Sequence, residues 1–286
     1  MPLFNVAQPA NAEAMFKILL YIAAFDMVPS ELVYKDMLEA LKNESRHDEL
    51  TGKVESLGFE STWLIPNLGS ILFFVGLFVL VLLVLLLFSK VPCCCYKTTG
   101  TLEFGMQTQG MLFWNMPIGF LKSSYSVISI CCLLNIAYMS WNEKDAIINS
   151  TLSCIIFGFL LVYPGLIQLF LYKRSSEMKR KAFQNKYIAA YEGLIIEDQK
   201  FILQPIFFFY RRILLPMFVI LFPSNLTTQF FALEITGLAT IMMIGYTIPF
   251  KSPSRNKAEM LEEVAIIILM YHMLCFSDWQ PDMKTR

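Results

Sequence analysis

The residues of this chain that could do chemistry are charged side chains placed inside apolar stretches. Two arginines lie within one such stretch, and two glutamates lie at a similar depth within another. Charges inside a membrane are costly, and they are usually paired or functional. The matched depth therefore predicts an intramembrane ion pair between one arginine and one glutamate. The residues concerned are Arg211 and Arg212 in Leu203–Pro223, and Glu262 and Glu263 in Ala258–Trp279.

Two further polar residues, Glu234 and Asn135, lie within apolar stretches near their predicted outer ends. The structural interpretation is that they form hydrogen bonds between helices, as polar side chains do in membrane bundles. The functional interpretation is that they line a pore or an ion path. We favour the structural interpretation because four of the five intramembrane charges can pair with each other, and we keep the ion path as the alternative.

Signatures of catalysis are missing from the sequence. Only two histidines occur, His47 and His272, so a histidine-based metal site or catalytic triad is not expected. The sequence contains no glycine-rich phosphate-binding loop. We therefore expect a protein that is not an enzyme and that holds neither a metal nor a cofactor.

Two segments outside the apolar stretches are candidates for covalent modification. Cys93, Cys94 and Cys95 directly follow an apolar stretch on its predicted cytosolic side. Three adjacent thiols cannot all pair with each other in relaxed disulfide geometry. They are a candidate S-palmitoylation site, and unmodified cysteines at a helix end are the alternative. Asn43 begins an N-x-S sequon on the predicted outer side, which makes it a candidate glycosylation site.

Composition places these residues in a membrane protein. The chain has 286 residues, of which 56% are hydrophobic and 16% are charged. Soluble domains are about half apolar and about one quarter charged. The 23 Lys and Arg balance the 23 Asp and Glu, and zero net charge argues against a nucleic-acid partner. The seven cysteines do not form the pattern of a disulfide framework.

Six apolar stretches are long enough to cross a bilayer, because a spanning helix needs about 20 mostly apolar residues. They are Trp63–Ser89, Ser123–Trp141, Ala146–Tyr172, Leu203–Pro223, Thr228–Phe250 and Ala258–Trp279. The shorter stretch Ala14–Val28 is compatible with a span, an interfacial helix or the core of a signal sequence. We take it as a span. The predicted fold is an all-α, polytopic transmembrane helix bundle with six spans and a seventh at the N-terminus.

The charges of the connections indicate the orientation. Segments 90–122, 173–202 and 251–257 are basic, whereas 30–62 and 142–145 are acidic. Because basic loops stay in the cytosol, we expect a cytosolic N-terminus, if 14–28 spans, and an external C-terminus. The predicted organisation is an N-terminal segment 1–29, a small acidic external segment 30–62, and a transmembrane bundle 63–286.

The cytosolic segment 174–202 begins with a basic cluster and continues into an apolar stretch. This pattern is typical of an amphipathic helix on the inner leaflet, where clustered Lys and Arg attract anionic lipids. The alternative is that these charges only determine topology. The predicted lipid-binding residues are Lys173, Arg174, Lys179, Arg180 and Lys181.

Several short motifs resemble a known kind of membrane module. The motifs are Gly58-Phe59-Glu60-Ser61, Asn67-Leu68-Gly69-Ser70, Leu112-Phe113-Trp114-Asn115, Tyr210-Arg211-Arg212, Pro249, and Asn256 with Glu259 and Glu262-Glu263. Over about residues 15–279, the chain resembles the multi-pass membrane module of ciliate surface proteins. More remotely, it resembles transient-receptor-potential-like membrane domains. The ciliate modules often follow large cysteine-rich ectodomains, which this sequence lacks. The resemblance therefore implies a fragment, or a short member that associates with a larger partner.

These observations predict a non-enzymatic, multi-pass protein that anchors or scaffolds an assembly in the plasma or ciliary membrane. Its expected partners are anionic lipids of the inner leaflet and other membrane or ectodomain proteins. The alternative is a cation-channel subunit of the transient-receptor-potential-like kind, with Glu234 and Asn135 near the pore. A lipid or small-solute carrier is a third hypothesis, and self-association into a homo-oligomer is compatible with each of them.

Overall fold

The structure is a computed structural model that describes residues 62–89, 111–139, 141, 144–196, 199–222 and 225–274. Its elements in these ranges are helical, apart from one isolated β-bridge. The α-helices are α1 (Leu64–Asn67), α2 (Gly69–Ser89), α3 (Met116–Ala137), α4 (Lys144–Lys173), α5 (Lys181–Tyr191), α6 (Leu203–Leu221), α7 (Leu226–Thr247) and α8 (Pro253–Leu274). A π-helical turn, Met111–Asn115, precedes α3, and 3-10 turns occupy Ser175–Glu177 and Gln199–Ile202.

Among the residues that the structure describes, four helices are long and apolar enough to cross a membrane. They are Leu112–Ala137, Lys144–Lys173, Leu203–Leu221 and Leu226–Thr247. Helix α2 is 21 residues long and carries no charged residue, but its fully described stretch, Ile71–Val81, is too short to be counted. Helix α8 carries several charged residues in its first half. The all-α class and the membrane-length helices are thus confirmed, whereas six or seven spans are not. The seventh candidate, 14–28, lies outside the described residues.

The predicted span Ser123–Trp141 was displaced along the chain. The observed helix α3 is Met116–Ala137, and the π-helical turn extends it toward the N-terminus. A membrane-length helix is confirmed here, but its bounds differ from those predicted, and the charged Lys122 just before the predicted start lies inside the helix. Pro117 explains the true start, since proline in the first helical turn loses no hydrogen bond.

The centre of the bundle forms where α3 contacts a proline in α4. Pro164 has no N–H, so the carbonyl of Leu160, four residues earlier, has no partner within its own helix. The hydroxyl of Tyr125 on α3 donates to this carbonyl at 2.6 Å. Tyr125 is fully buried, and its ring lies 4.7 Å from that of Phe209 on α6. In an apolar medium a free carbonyl costs several kcal/mol, so the tyrosine holds α3 and α4 together.

A weaker contact of a related kind lies between α3 and α6, because the single hydroxyl proton of Ser129 is closer to carbonyls of its own helix. Pro216 removes the usual partner of the Arg212 carbonyl, and the hydroxyl of Ser129 on α3 lies 3.5 Å from that oxygen. Ser129 also donates within its own helix, to the carbonyl of Tyr125 at 2.8 Å. The polar side chains of α3 therefore face two proline-containing helices, which explains why α3 lies at the centre.

Helix α5 is the part of the predicted amphipathic segment 174–202 that is α-helical. The side chain of Asn115 fastens it to the start of α3: its Nδ2 donates to the Asn185 carbonyl at 2.7 Å, and its Oδ1 accepts from Ala189 N at 3.1 Å. The ring of Trp114 lies 5.3 Å from that of Tyr187. The amphipathic helix is thus docked on the bundle end at which α3 begins.

The turn between α7 and α8 meets the chain after α5 at the same end. Ile195 N donates to the Pro249 carbonyl at 2.8 Å, and Lys251 N donates to the Gly193 carbonyl at 2.9 Å. Gly193 has a φ of +78°, and a Cβ there would lie 2.9 Å from Nη1 of Arg255. Only glycine fits this backbone without strain, so the two connections interlock closely.

Candidate functional site: intramembrane polar contacts

An ion pair joins α6 to α8 inside the bundle. The Nη1 of Arg211 donates to Oε1 of Glu263. The side chains of Arg211 and Glu263 are 19% and 4% exposed. Burying two charges is tolerated only when they pair closely, so this contact fixes the relative position of the two helices.

The surroundings of this pair are tightly packed. Arg211 Nε and Glu263 Oε2 are buried without a hydrogen-bond partner in the part of the chain that the structure describes. Helix α7 closes the other side, where a Cβ on Gly237 would lie 3.8 Å from Glu263 Oε2 and 3.4 Å from the Ile267 side chain. A Cβ at 237 would therefore make ordinary van der Waals contact with the carboxylate and with Ile267.

The two neighbours of the pair have different roles. Glu262 is exposed on α8, and it interacts electrostatically with Arg211 and Arg212 without forming an ion pair among the described residues. Arg212 donates from Nη1 to the Lys122 carbonyl at 2.9 Å, and its Cζ lies 4.0 Å from the Phe208 ring centroid. The structure thus brings Arg211 and Glu263 together, and it turns Arg212 toward α3.

Glu234 contacts a neighbouring helix. The hydroxyl of Tyr271 on α8 donates to Oε1 of Glu234 on α7 at 2.7 Å. A charge-assisted hydrogen bond of this length is about twice as strong as a neutral one. Glu234 is half-buried, and Tyr271 is 50% exposed, so the contact lies at the edge of the bundle.

Asn135 contacts the chain that leads into α1. Its Nδ2 donates to the Thr62 carbonyl at 3.3 Å, and Asn149 Oδ1 accepts from Leu64 N at 3.2 Å. Both asparagines are almost fully buried, with exposures of 2% and 1%. Together they fasten residues 62–64 between the end of α3 and the start of α4, opposite the end at which α5 docks.

The predicted lipid-binding residues lie on the surface between α4 and α5. Arg174 pairs with Glu177 at 2.8 Å, which neutralises part of the cluster. The other residues are all exposed. They are Lys173, Lys179, Arg180 and Lys181.

One titratable group of this region is strongly perturbed. Burial raises the pKa of the Tyr191 phenol at the end of α5 to about 12. Its hydroxyl is buried and accepts or donates no hydrogen bond within the described ranges. A neutral phenol is therefore favoured in the folded protein.

Comparisons with protein-family models, with curated proteins and with solved structures found no match to this chain. Within the described residues, no group of three or more metal-ligating side chains lies close enough to hold a metal ion. Asn43 and the cysteine triplet 93–95 lie outside those residues.

Several contacts of the site were missed in the sequence. Tyr271 was not singled out because a tyrosine near a helix end looks like an ordinary interfacial residue. Asn149 was not singled out, although an asparagine beside an apolar helix also predicts an interhelical hydrogen bond. Asn115 was noted only within a motif, and nothing in its local sequence indicates its contact with α5.

Proposed function

We propose that this chain is a non-enzymatic, multi-pass membrane protein that anchors or scaffolds an assembly in the plasma or ciliary membrane. In this proposal the bundle is a rigid support, and partner proteins bind its outer segments. The resemblance to ciliate surface modules supplies the kind of partner, a larger ectodomain protein.

The observation that carries the proposal is the contact between Glu234 and Tyr271. A carboxylate that lines an ion path faces water, whereas this one accepts a 2.7 Å hydrogen bond from the neighbouring helix. Asn135, the other residue considered for a pore, is buried against Thr62. Both groups hold elements of the bundle together, as polar side chains do in packed membrane helices.

We further propose six spans with a seventh at 14–28, a cytosolic N-terminus and an external C-terminus. Two groups of contacts support the alternation of connections between the two sides of the membrane. The segments 111–115, 181–195 and 249–251 meet at one bundle end. The first two lie in connections that were assigned to the cytosol from loop charge, and the third is where the predicted span 228–250 meets the basic connection 251–257. Residues 62–64 meet the opposite ends of α3 and α4. A glycan on Asn43 and acyl chains on the cysteine triplet 93–95 belong to the same proposal.

The test is purification of the full chain in a mild detergent from the cells that make it. The scaffold proposal expects co-purification with a larger ectodomain protein in a fixed ratio, measured by mass spectrometry and light scattering. Purification of this chain without any larger partner protein would contradict it. An epitope tag inserted at 176 tests the orientation, because we expect it to be reached only after permeabilisation.

A cation-channel subunit is the second candidate, and one observation favours it. Glu262 is exposed on α8 beside the large apolar side chains of Leu261 and Val264, although charged side chains rarely face lipid. In a symmetric oligomer, copies of this carboxylate would face one another or water. Cation flux through the purified protein distinguishes the two functions.

A further inference from the structure

One face of helix α8 is exposed and carries both apolar side chains and a carboxylate. The large apolar side chains of Leu261, Ile268 and Leu269 are each more than half exposed. The carboxylate is that of Glu262, which is exposed as well. Lipid covers apolar side chains readily, but its acyl chains offer no hydrogen bond to a carboxylate. This face therefore suits a further helix that brings a cation.

Glu262 is level with the middle of α7, a helix of membrane length. Gly237 lies at the centre of α7, and a Cβ there would lie 3.8 Å from Oε2 of Glu263. Glu262 is the neighbouring residue of α8, so it is displaced from this level by only about 1.5 Å along the helix axis. A charge near the middle of a membrane is costly, and it is usually paired.

The nearby cations of the bundle are engaged elsewhere. Arg211 and Arg212 both attract Glu262, but Arg211 forms its ion pair with Glu263. Arg212 donates to the Lys122 carbonyl on α3. Among the residues that the structure describes, Glu262 forms no ion pair. Attraction at a distance does not replace the hydrogen bonds that a carboxylate has in water.

A suitable cation lies in the apolar stretch 14–28. Of the lysines and arginines outside the described ranges, only Lys17 lies within an apolar stretch. Lys17 precedes the central residue of this stretch, Tyr21, by four positions, which is about 6 Å along a helix. With a cytosolic N-terminus the stretch runs parallel to α8. Lys17 and Glu262 then differ in depth by about 5 Å, which a lysine side chain can span.

The connection between this stretch and the described bundle is long enough for such a contact. Asn135 fastens Thr62 at the outer end of α3, and residues 29–61 link the stretch to that point. An extended chain covers about 3.3 Å per residue, so this connection reaches any face of the bundle. A short connection would have excluded α8.

We propose that the stretch 14–28 docks as a helix along the exposed face of α8, with Lys17 paired to Glu262. The inference rests on the proposed seventh span. It accounts for the exposed carboxylate without a symmetric oligomer, and it makes segment 30–62 a strap across the outer end of the bundle. Lys17 can extend to the inner headgroups when its partner is lost, so the pair determines the position of the segment more than its stability.

The experiment is zero-length crosslinking of the full chain in liposomes. Dicyclohexylcarbodiimide enters membranes and activates carboxyl groups, so that a lysine amine in contact forms an amide with them. A protease site inserted after residue 45 then shows whether the N-terminal fragment stays attached on a denaturing gel. Lys17→Gln and Glu262→Gln each remove one partner at similar size. Glu259→Gln is the matched control, because Glu259 lies one turn earlier and pairs with Arg255 at 3.8 Å.

We expect the fragment to stay attached in the wild type and in Glu259→Gln, and to be lost in Lys17→Gln and Glu262→Gln. Without proteolysis, the crosslinked protein should run as one chain. A fragment released from the wild type, equal retention in all four proteins, equal loss in Glu259→Gln and Glu262→Gln, or a product of two chains would each overturn the docking.

Epitope tags at residues 2 and 45 separate this inference from the proposed span. Tags on opposite sides of the membrane, together with a released fragment, overturn the docking and leave the span intact. Tags on the same side overturn the span and the docking together.

Discussion

Replacing Glu263 by glutamine should destabilise the bundle far more than the same change at Glu262. Glu263 is the buried partner of Arg211, whereas the adjacent Glu262 is exposed. Glutamine keeps the size of the side chain and removes the negative charge. The change therefore leaves a buried guanidinium without its counterion at one position and alters a surface charge at the other.

The expected size follows from burial. Breaking a buried ion pair from one side costs about 3–5 kcal/mol. Glu263 is 3% exposed, but the negative charge of Glu262 still acts on Arg211, so we expect the lower end, about 3 kcal/mol. For a chain of this size each kcal/mol shifts the melting temperature by about 2–4 °C. Glu263→Gln should therefore lower it by about 6–12 °C.

The assay is thermal unfolding of the detergent-purified protein, followed by intrinsic fluorescence. Glu262→Gln is the matched control, and an exposed charge contributes about 1 kcal/mol or less, so its shift should stay below about 4 °C. The double variant Arg211→Glu with Glu263→Arg exchanges the two charges. Its melting temperature should be higher than that of either single variant, because the ion pair can form again.

Two results would refute this reasoning. Equal shifts for Glu262→Gln and Glu263→Gln would mean that the ion pair does not hold α6 to α8. Residues in contact give non-additive effects on stability. If the stability loss of the double variant equals the sum of the losses of Arg211→Glu and Glu263→Arg, the two side chains do not interact.

Three further changes test separate contacts. Tyr125→Phe should lower the free energy of unfolding by about 1–3 kcal/mol, because it leaves the Leu160 carbonyl unpaired. The loss should be smaller in a Pro164→Ala background, where the helix N–H is restored, and equal losses in both backgrounds would exclude the proposed role of the hydroxyl. The pKa of the Tyr191 phenol rises from 10 to about 12 on folding, so the wild type should lose stability as the pH rises from 10 to about 12. Tyr191→Phe should not show this loss, and parallel pH–stability curves for the two proteins would disprove it. Serine at all three positions of 93–95 should abolish labelling in an acyl-exchange assay, and undiminished labelling would remove the acylation site.

The helices were largely predictable because apolar stretches of membrane length are a strong signal. The similar depth of the charged residues in their apolar stretches was enough to predict a contact between α6 and α8, where Arg211 pairs with Glu263. The choice between Glu262 and Glu263 was not predictable, because neighbouring residues point about 100° apart and the rotation of α8 depends on packing. Sequence carries no direct measure of that rotation.

The contacts between distant segments were not predictable. The start of α3 was misplaced because Lys122 looks like a boundary until its aromatic neighbour Phe208 is known. Pro164 indicated an irregular helix, but not that Tyr125, 35 positions away along the chain, supplies the missing donor. Such partners are set by the arrangement of helices rather than by local pattern.

Cation flux through the purified protein tests most directly whether the intramembrane polar groups serve as helix contacts. The full chain is reconstituted into liposomes loaded with potassium, and efflux is compared with that of empty liposomes. Our account predicts no added efflux, in the wild type or in Glu234→Gln, because Glu234 is engaged by Tyr271. Protein-dependent efflux that falls in Glu234→Gln would contradict it and establish the channel.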